Sequence, residues 1–140
     1  MMIKFHKIAK ITTRHPKTRT ATGLLIPLWK DDEPNKKIRP RYIYFVTCAP
    51  KSFKGPYLHT KRRGLLTLIE GRLLLVYKYG NRFKKIPLNA GQHPVMADIP
   101  KRTAYLLENP FKKEAKLINI CDYPWKKGDS ETIEPDFSEY

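Results

Sequence analysis

Apolar and β-branched residues fall in short runs along the chain: Ile3–Ile8, Ala21–Leu28, Arg41–Thr47, Leu65–Ile69, Leu73–Tyr79, Val95–Ile99, Ala104–Leu107 and Ala115–Cys121. Each run is four to eight residues long and ends on Pro, Gly or polar residues, which is the length and punctuation of β-strands. Twelve prolines, at 16, 27, 34, 40, 50, 56, 87, 94, 100, 110, 124 and 135, leave few intervals long enough for an ordinary helix. The pattern predicts an all-β, antiparallel domain, a sandwich or barrel.

Two of these runs flank Glu70-Gly71-Arg72, where glycine can supply a positive φ, so Leu65–Ile69 and Leu73–Tyr79 are expected to pair as an antiparallel hairpin. Both are apolar at nearly every position rather than every second one, so both faces of the hairpin must avoid water. A second sheet on one side and a partner subunit on the other would achieve this, and a homodimer is expected.

Length sets the domain count. The 140 residues, 41% of them apolar, suffice for one domain with its own core. That domain is expected over residues 1–127, followed by an acidic extension, 128–140, laid on the surface or left mobile. The extension holds five acids (Asp129, Glu131, Glu134, Asp136 and Glu139) and no base, so the domain carries all 28 Lys and Arg against eight acids, a net +20. The partner is therefore expected to be anionic: a phosphate-bearing small molecule, nucleic acid or an acidic surface.

The longest apolar stretch is broken by Glu70, Gly71, Arg72 and Lys78, short of the roughly 18 residues that cross a bilayer. Lys4, Lys7 and Lys10 interrupt the amino-terminal apolar residues, so no secretory signal is read and a cytoplasmic location is expected. Cys48 and Cys121 stand 73 positions apart and are expected to be buried free thiols rather than a disulfide or zinc site.

Chemistry concentrates around His59. Read as one strand, the alternation places Tyr57, His59, Lys61 and Arg63 on one face. A phenol, an imidazole and two cations suit a polar cavity, where a histidine moves a proton near neutral pH and cations hold an anion. The same run also reads as an exposed basic edge.

The stretch Gly55-Pro56-Tyr57-Leu58-His59-Thr60-Lys61, with Gly71 twelve residues after His59, resembles the first motif of the cupin superfamily. Gly91, Pro100 and Tyr105-Leu106-Leu107-Glu108-Asn109 resemble the second, and the likeness covers residues 20–126. Ile38-Arg39-Pro40-Arg41-Tyr42-Ile43-Tyr44 is similar to the strand that leads into the site of dTDP-4-keto-6-deoxyglucose 3,4-ketoisomerases. Asn119-Ile120-Cys121-Asp122-Tyr123-Pro124, continuing through Ile133 and Asp136, is similar to the dTDP-4-dehydrorhamnose 3,5-epimerases. The resemblance implies a cupin-like double-stranded β-helix, or jelly roll. It also implies a metal-independent isomerase or epimerase acting on a nucleotide-linked 4-keto-6-deoxy sugar.

Within that implied site, His59 is the base, and Tyr57, Tyr105 and Tyr44 are the candidate acids. Arg39, Lys61, Arg63 and Arg72 are the candidate substrate-binding cations. Tyr57 stands at the first His position of the motif, Arg63 or Gly64 at the Glu position and Tyr105 at the second-motif His. With one neutral nitrogen left, no metal and no other cofactor is expected. Ile118 falls where the epimerases keep their acid tyrosine, so a cupin that binds a sugar nucleotide without turnover is the alternative.

A second alternative is a nucleic-acid-binding barrel, with aromatics interleaved among cations in Arg39–Phe45 and Tyr77–Phe83. His6, His15 and His93 are expected at the surface, and Trp29 and Trp125 near strand ends.

Overall fold

The computed structural model describes residues 2–31 and 37–140. Met1 and Pro34 lie outside them. Twelve strands are found among the described residues, and no helix. They are β1 (Lys4–Lys7), β2 (Ile11–Arg14), β3 (Ala21–Leu25), β4 (Tyr42–Cys48), β5 (Ser52–His59) and β6 (Gly64–Glu70), followed by β7 (Arg72–Tyr79), β8 (Arg82–Asn89), β9 (Val95–Ile99), β10 (Ala104–Asn109), β11 (Ala115–Cys121) and β12 (Thr132–Ile133).

Two five-stranded antiparallel sheets carry the fold, in the orders β1-β9-β6-β11-β4 and β12-β5-β10-β7-β8. This is the all-β jelly roll expected from the sequence. Among the described residues, β2 and β3 pair only with each other and form a separate two-stranded arm.

The expected hairpin is the first correction. β6 pairs with β9 and β11, whereas β7 pairs with β8 and β10, so the two strands belong to opposite sheets. Gly71, at φ +92°, turns a corner between the sheets. A Cβ there would lie 3.0 Å from the Glu114 carbonyl oxygen and 3.1 Å from the Ala115 Cα, so both the dihedral and the space call for glycine.

The corner explains the continuous apolar pattern. Leu66 and Leu68 of β6 face Leu73, Leu75 and Tyr77 of β7 across the inter-sheet core, which Leu107 and Leu117 complete. Alternation sends Leu65 to the other face, where it joins Ile8, Met96 and Ile120. Ile26, Leu28, Trp29 and Ile38 of the same chain pack over that cluster. The second face of β6 is therefore covered from within the chain, without a partner subunit. On the other sheet, Phe137 and Tyr140 pack on Phe83 of β8.

Residues 128–140 are also tied down. β12 adds to the edge of β5 with Thr132 opposite His59. Glu131 is only 4% exposed.

Candidate active site

Between the sheets opens a cavity of about 380 Å³. Its walls come from β4 (Tyr44, Val46), β5 (Lys54, Tyr57, His59), β10 (Tyr105, Leu107) and Leu66, with Arg62, Trp125 and Thr132 around them. Tyr57 and His59 share a face of β5 because they are two residues apart. Tyr105 is delivered beside them by the β5–β10 register, which pairs it with Tyr57.

The three rings form one aromatic cluster. The Tyr57 and His59 centroids are 6.1 Å apart at 20° between planes, and Tyr105 lies 5.6 Å from Tyr57 and 6.3 Å from His59. Tyr44 enters from the opposite sheet, its hydroxyl accepting a 2.8 Å hydrogen bond from Asn119 Nδ2.

Glu131 completes the site. Its Oε2 lies 3.0 Å from His59 Nδ1, and its Oε1 accepts the backbone N–H groups of Lys61 (3.2 Å) and Arg62 (3.1 Å). Thr132 Oγ1 donates to the same Oε2 at 3.0 Å. Burial pushes the Glu131 carboxyl up, but the hydrogen bond and charge of His59, with the Lys61 backbone and Thr132, hold it below its ordinary value. An ionised carboxylate against Nδ1 places the imidazole proton there. Nε2, on the opposite edge of the ring, is left with its lone pair.

His59 titrates below its ordinary value, because burial disfavours the imidazolium and the Arg62 charge adds to this, both opposed by Glu131. Burial raises the Tyr105, Tyr44 and Tyr57 phenols. At neutral pH the cavity thus holds a bare imidazole nitrogen among protonated phenols, the two states that proton removal and proton return require.

β5 ends at His59, which changes the face assigned to the residues after it. Thr60 N donates to the Glu131 carbonyl and Arg102 N to that of His59, and the Glu131 carboxylate then turns Lys61 and Arg62 out of strand geometry. The alternation expected through Arg63 therefore stops. Lys61 points outward, its side chain 58% exposed and 4.0 Å from Asp129. Arg63 forms a two-pronged ion pair with Asp98, Nε to Oδ1 at 2.9 Å and Nη2 to Oδ2 at 2.8 Å. Arg62, read as part of an exposed run, is the residue that turns inward.

Arg39 is exposed ahead of β4. Arg72 stacks on Phe111, its guanidinium carbon 3.9 Å from the ring centroid. It lies five residues along β7 from Tyr77, the partner of Tyr105, or about 17 Å at strand spacing. The structure thus gathers His59, Tyr57, Tyr105 and Tyr44 in one cavity and places Arg39, Lys61, Arg63 and Arg72 outside its lining.

Glu131 and Arg62 are the site residues the sequence reading missed. The carboxylate lies 72 positions from the histidine it meets, and one arginine of three adjacent cations carries no mark of its direction. Among the described residues, no three His, Cys, Asp or Glu side chains are grouped as a metal site would need. Cys48 and Cys121 are buried free thiols, and burial pushes Cys121 up to about 11.

By sequence, no family model and no curated protein matches the chain. Solved structures do match in fold. A 3,4-ketoisomerase from Helicobacter canadensis superposes with a TM-score of 0.73 at 23% identity, over 99% of this chain and 94% of that one. A dTDP sugar isomerase from Desulfovibrio desulfuricans gives 0.74 at 17%, over 96% and 83%. A mutant of the 3,4-ketoisomerase QdtA from Thermoanaerobacterium thermosaccharolyticum, in complex with TDP-4-keto-6-deoxyglucose, gives 0.69 at 17%, over 94% and 86%. The chain therefore has the jelly-roll fold of sugar-nucleotide isomerases, as the sequence motifs implied.

Proposed function

We propose that this protein is a metal-independent isomerase or epimerase of a nucleotide-linked 4-keto-6-deoxy sugar. The observation that carries the reading is the His59–Glu131 contact inside a cavity walled by three phenols. The fold shared with 3,4-ketoisomerases supports it, as does the TDP-4-keto-6-deoxyglucose bound by one of those proteins.

Nε2 of His59 takes the proton from a carbon next to the keto group. The released electron pair moves to the carbonyl oxygen, giving an enolate, and Glu131 stabilises the imidazolium that forms. For 3,4-isomerisation, a phenol then gives a proton to carbon 4 while the 3-hydroxyl passes its own to the oxygen on carbon 4, so that carbon 3 becomes the new carbonyl and the imidazolium proton restores the phenol. For epimerisation, the proton returns to the same carbon from the other face. Tyr105 and Tyr57 lie beside the imidazole and beside each other, and Tyr44 stands on the opposing sheet, so phenols are available on both walls of the cavity.

The active species is proposed to be a homodimer. Ile11, Leu24 and Leu25 of the arm and Ile43 and Phe45 of edge strand β4 are each 47–60% exposed, apolar side chains that a second copy would cover.

Deuterium wash-in tests the chemistry. With TDP-4-keto-6-deoxyglucose in D₂O, the protein should exchange the proton at carbon 3 or 5, and His59→Asn should abolish exchange. Binding of TDP, seen as a rise in melting temperature, without exchange by the unaltered protein would make it a sugar-nucleotide binder instead.

A further inference from the structure

Arg62 is 7% exposed, and no other lysine or arginine is buried among the described residues. Its Nε makes no hydrogen bond among the described residues. Among the described residues no carboxylate forms an ion pair with its guanidinium. The Tyr42 ring, 5.6 Å from the guanidinium carbon, covers one side. Arg62 lines the 380 Å³ cavity with His59, Tyr44 and Tyr105, and also a narrow recess with Gly64, Thr103 and Asn119 that shares His59 and Tyr105 with it.

A buried cation without a counter-ion is costly unless something negative completes it. The Arg62 charge acts on the groups around the cavity, lowering His59 and opposing the rise of Tyr44, Tyr105 and Cys121. Lys54 lines the same cavity but lies five residues down β5 from His59, on the order of 17 Å along the strand.

We infer that Arg62 is the anion-holding group of the cavity, its guanidinium gripping the ligand oxygen that becomes negative when His59 removes a proton. The identity of that oxygen rests on the isomerase reading; the anion site itself does not. Charge arrives on the oxygen as the C–H bond breaks and leaves as a phenol returns the proton. Arg62 therefore holds the enolate more tightly than the ketone, which is what accelerates the step. The fixed N–H fork of arginine suits two neighbouring oxygens, such as the pair on carbons 3 and 4.

Two measurements test this separately from the reaction. Bromide, titrated into protein carrying ¹⁵N-labelled histidine, should move the His59 imidazole resonances in the unaltered protein and not in Arg62→Gln, with His6, His15 and His93 as internal references. Arg62→Gln should also slow deuterium wash-in by about 10²-fold or more while leaving TDP affinity unchanged, and Arg62→Lys should recover part of the rate. Wash-in at the full rate in Arg62→Gln overturns the assignment, as does loss of TDP affinity by the same factor as the rate. A bromide response without wash-in by the unaltered protein supports the anion site and removes the isomerase reading; no bromide response overturns the site itself. If Arg62→Gln does not fold, Arg62→Lys and the bromide titration of the unaltered protein decide.

Discussion

His59 Nδ1 and Glu131 Oε2 stand 3.0 Å apart although 72 positions separate them in the chain. The contact joins the central motif to the acidic end and settles which imidazole nitrogen is free to accept a proton.

Glu131→Gln should lower the wash-in rate by on the order of 10²-fold or more, since an amide neither selects the tautomer nor stabilises the imidazolium. The affinity for TDP should hardly change. Glu131→Ala should in addition lower folding stability by about 1–3 kcal/mol, because the Lys61 and Arg62 N–H groups and His59 lose their acceptor. Steady-state kinetics and urea denaturation of both variants check this.

The pH profile follows from the direction of the His59 shift. Burial and Arg62 outweigh Glu131, so the imidazole stays neutral to a pH below 6.5. The rate should fall only on the acid side of that value and run flat through neutrality, as the phenols, raised by burial, keep their protons. Folding stability should likewise be complete above pH 6.5 and decline as pH drops through the lowered value, where the unfolded chain binds the proton more readily. Glu131, also lowered, adds a further loss as pH drops below 4.5. Arg62→Gln should move the acid limb of the rate to higher pH.

Gly71→Ala should destabilise the fold by roughly 1–3 kcal/mol, since a side chain at φ +92° is strained and its Cβ meets the backbone of residues 114 and 115. Gly80→Ala, where a Cβ meets nothing within 4 Å, controls for the steric part of the loss. Denaturant midpoints separate the two.

Leu24→Asp with Leu25→Asp should leave the two sheets folded and shift the sedimenting species toward a monomer, because both side chains are exposed on an arm that, among the described residues, is hydrogen-bonded into neither large sheet. A monomeric unaltered protein at micromolar concentration removes the dimer.

Much of the fold was readable because strand periodicity is local. Ala115–Cys121 emerges as β11 at both ends, and Val95–Ile99 as β9. The pairing of Leu65–Ile69 with Leu73–Tyr79 was misread because a glycine turn between two apolar runs serves a hairpin and a sheet-to-sheet corner equally well. What distinguishes them is the backbone of residues 114 and 115, 43 and 44 positions on from Gly71. Tyr57 and His59 came together on one face through their spacing, and Tyr105 and Tyr44 joined them through the cupin likeness. Ile11–Arg14 and Arg82–Asn89 carry too few consecutive apolar residues to announce β2 and β8. Arg62 could not be told from its neighbours, since the turn that aims it inward is made by a carboxylate far along the chain.

That carboxylate follows β11 in the chain, so during synthesis the imidazole exists as an incomplete group until the segment after β11 has emerged. A chain clipped between β11 and Glu131 would keep every sheet strand but β12 and still lack a working proton acceptor.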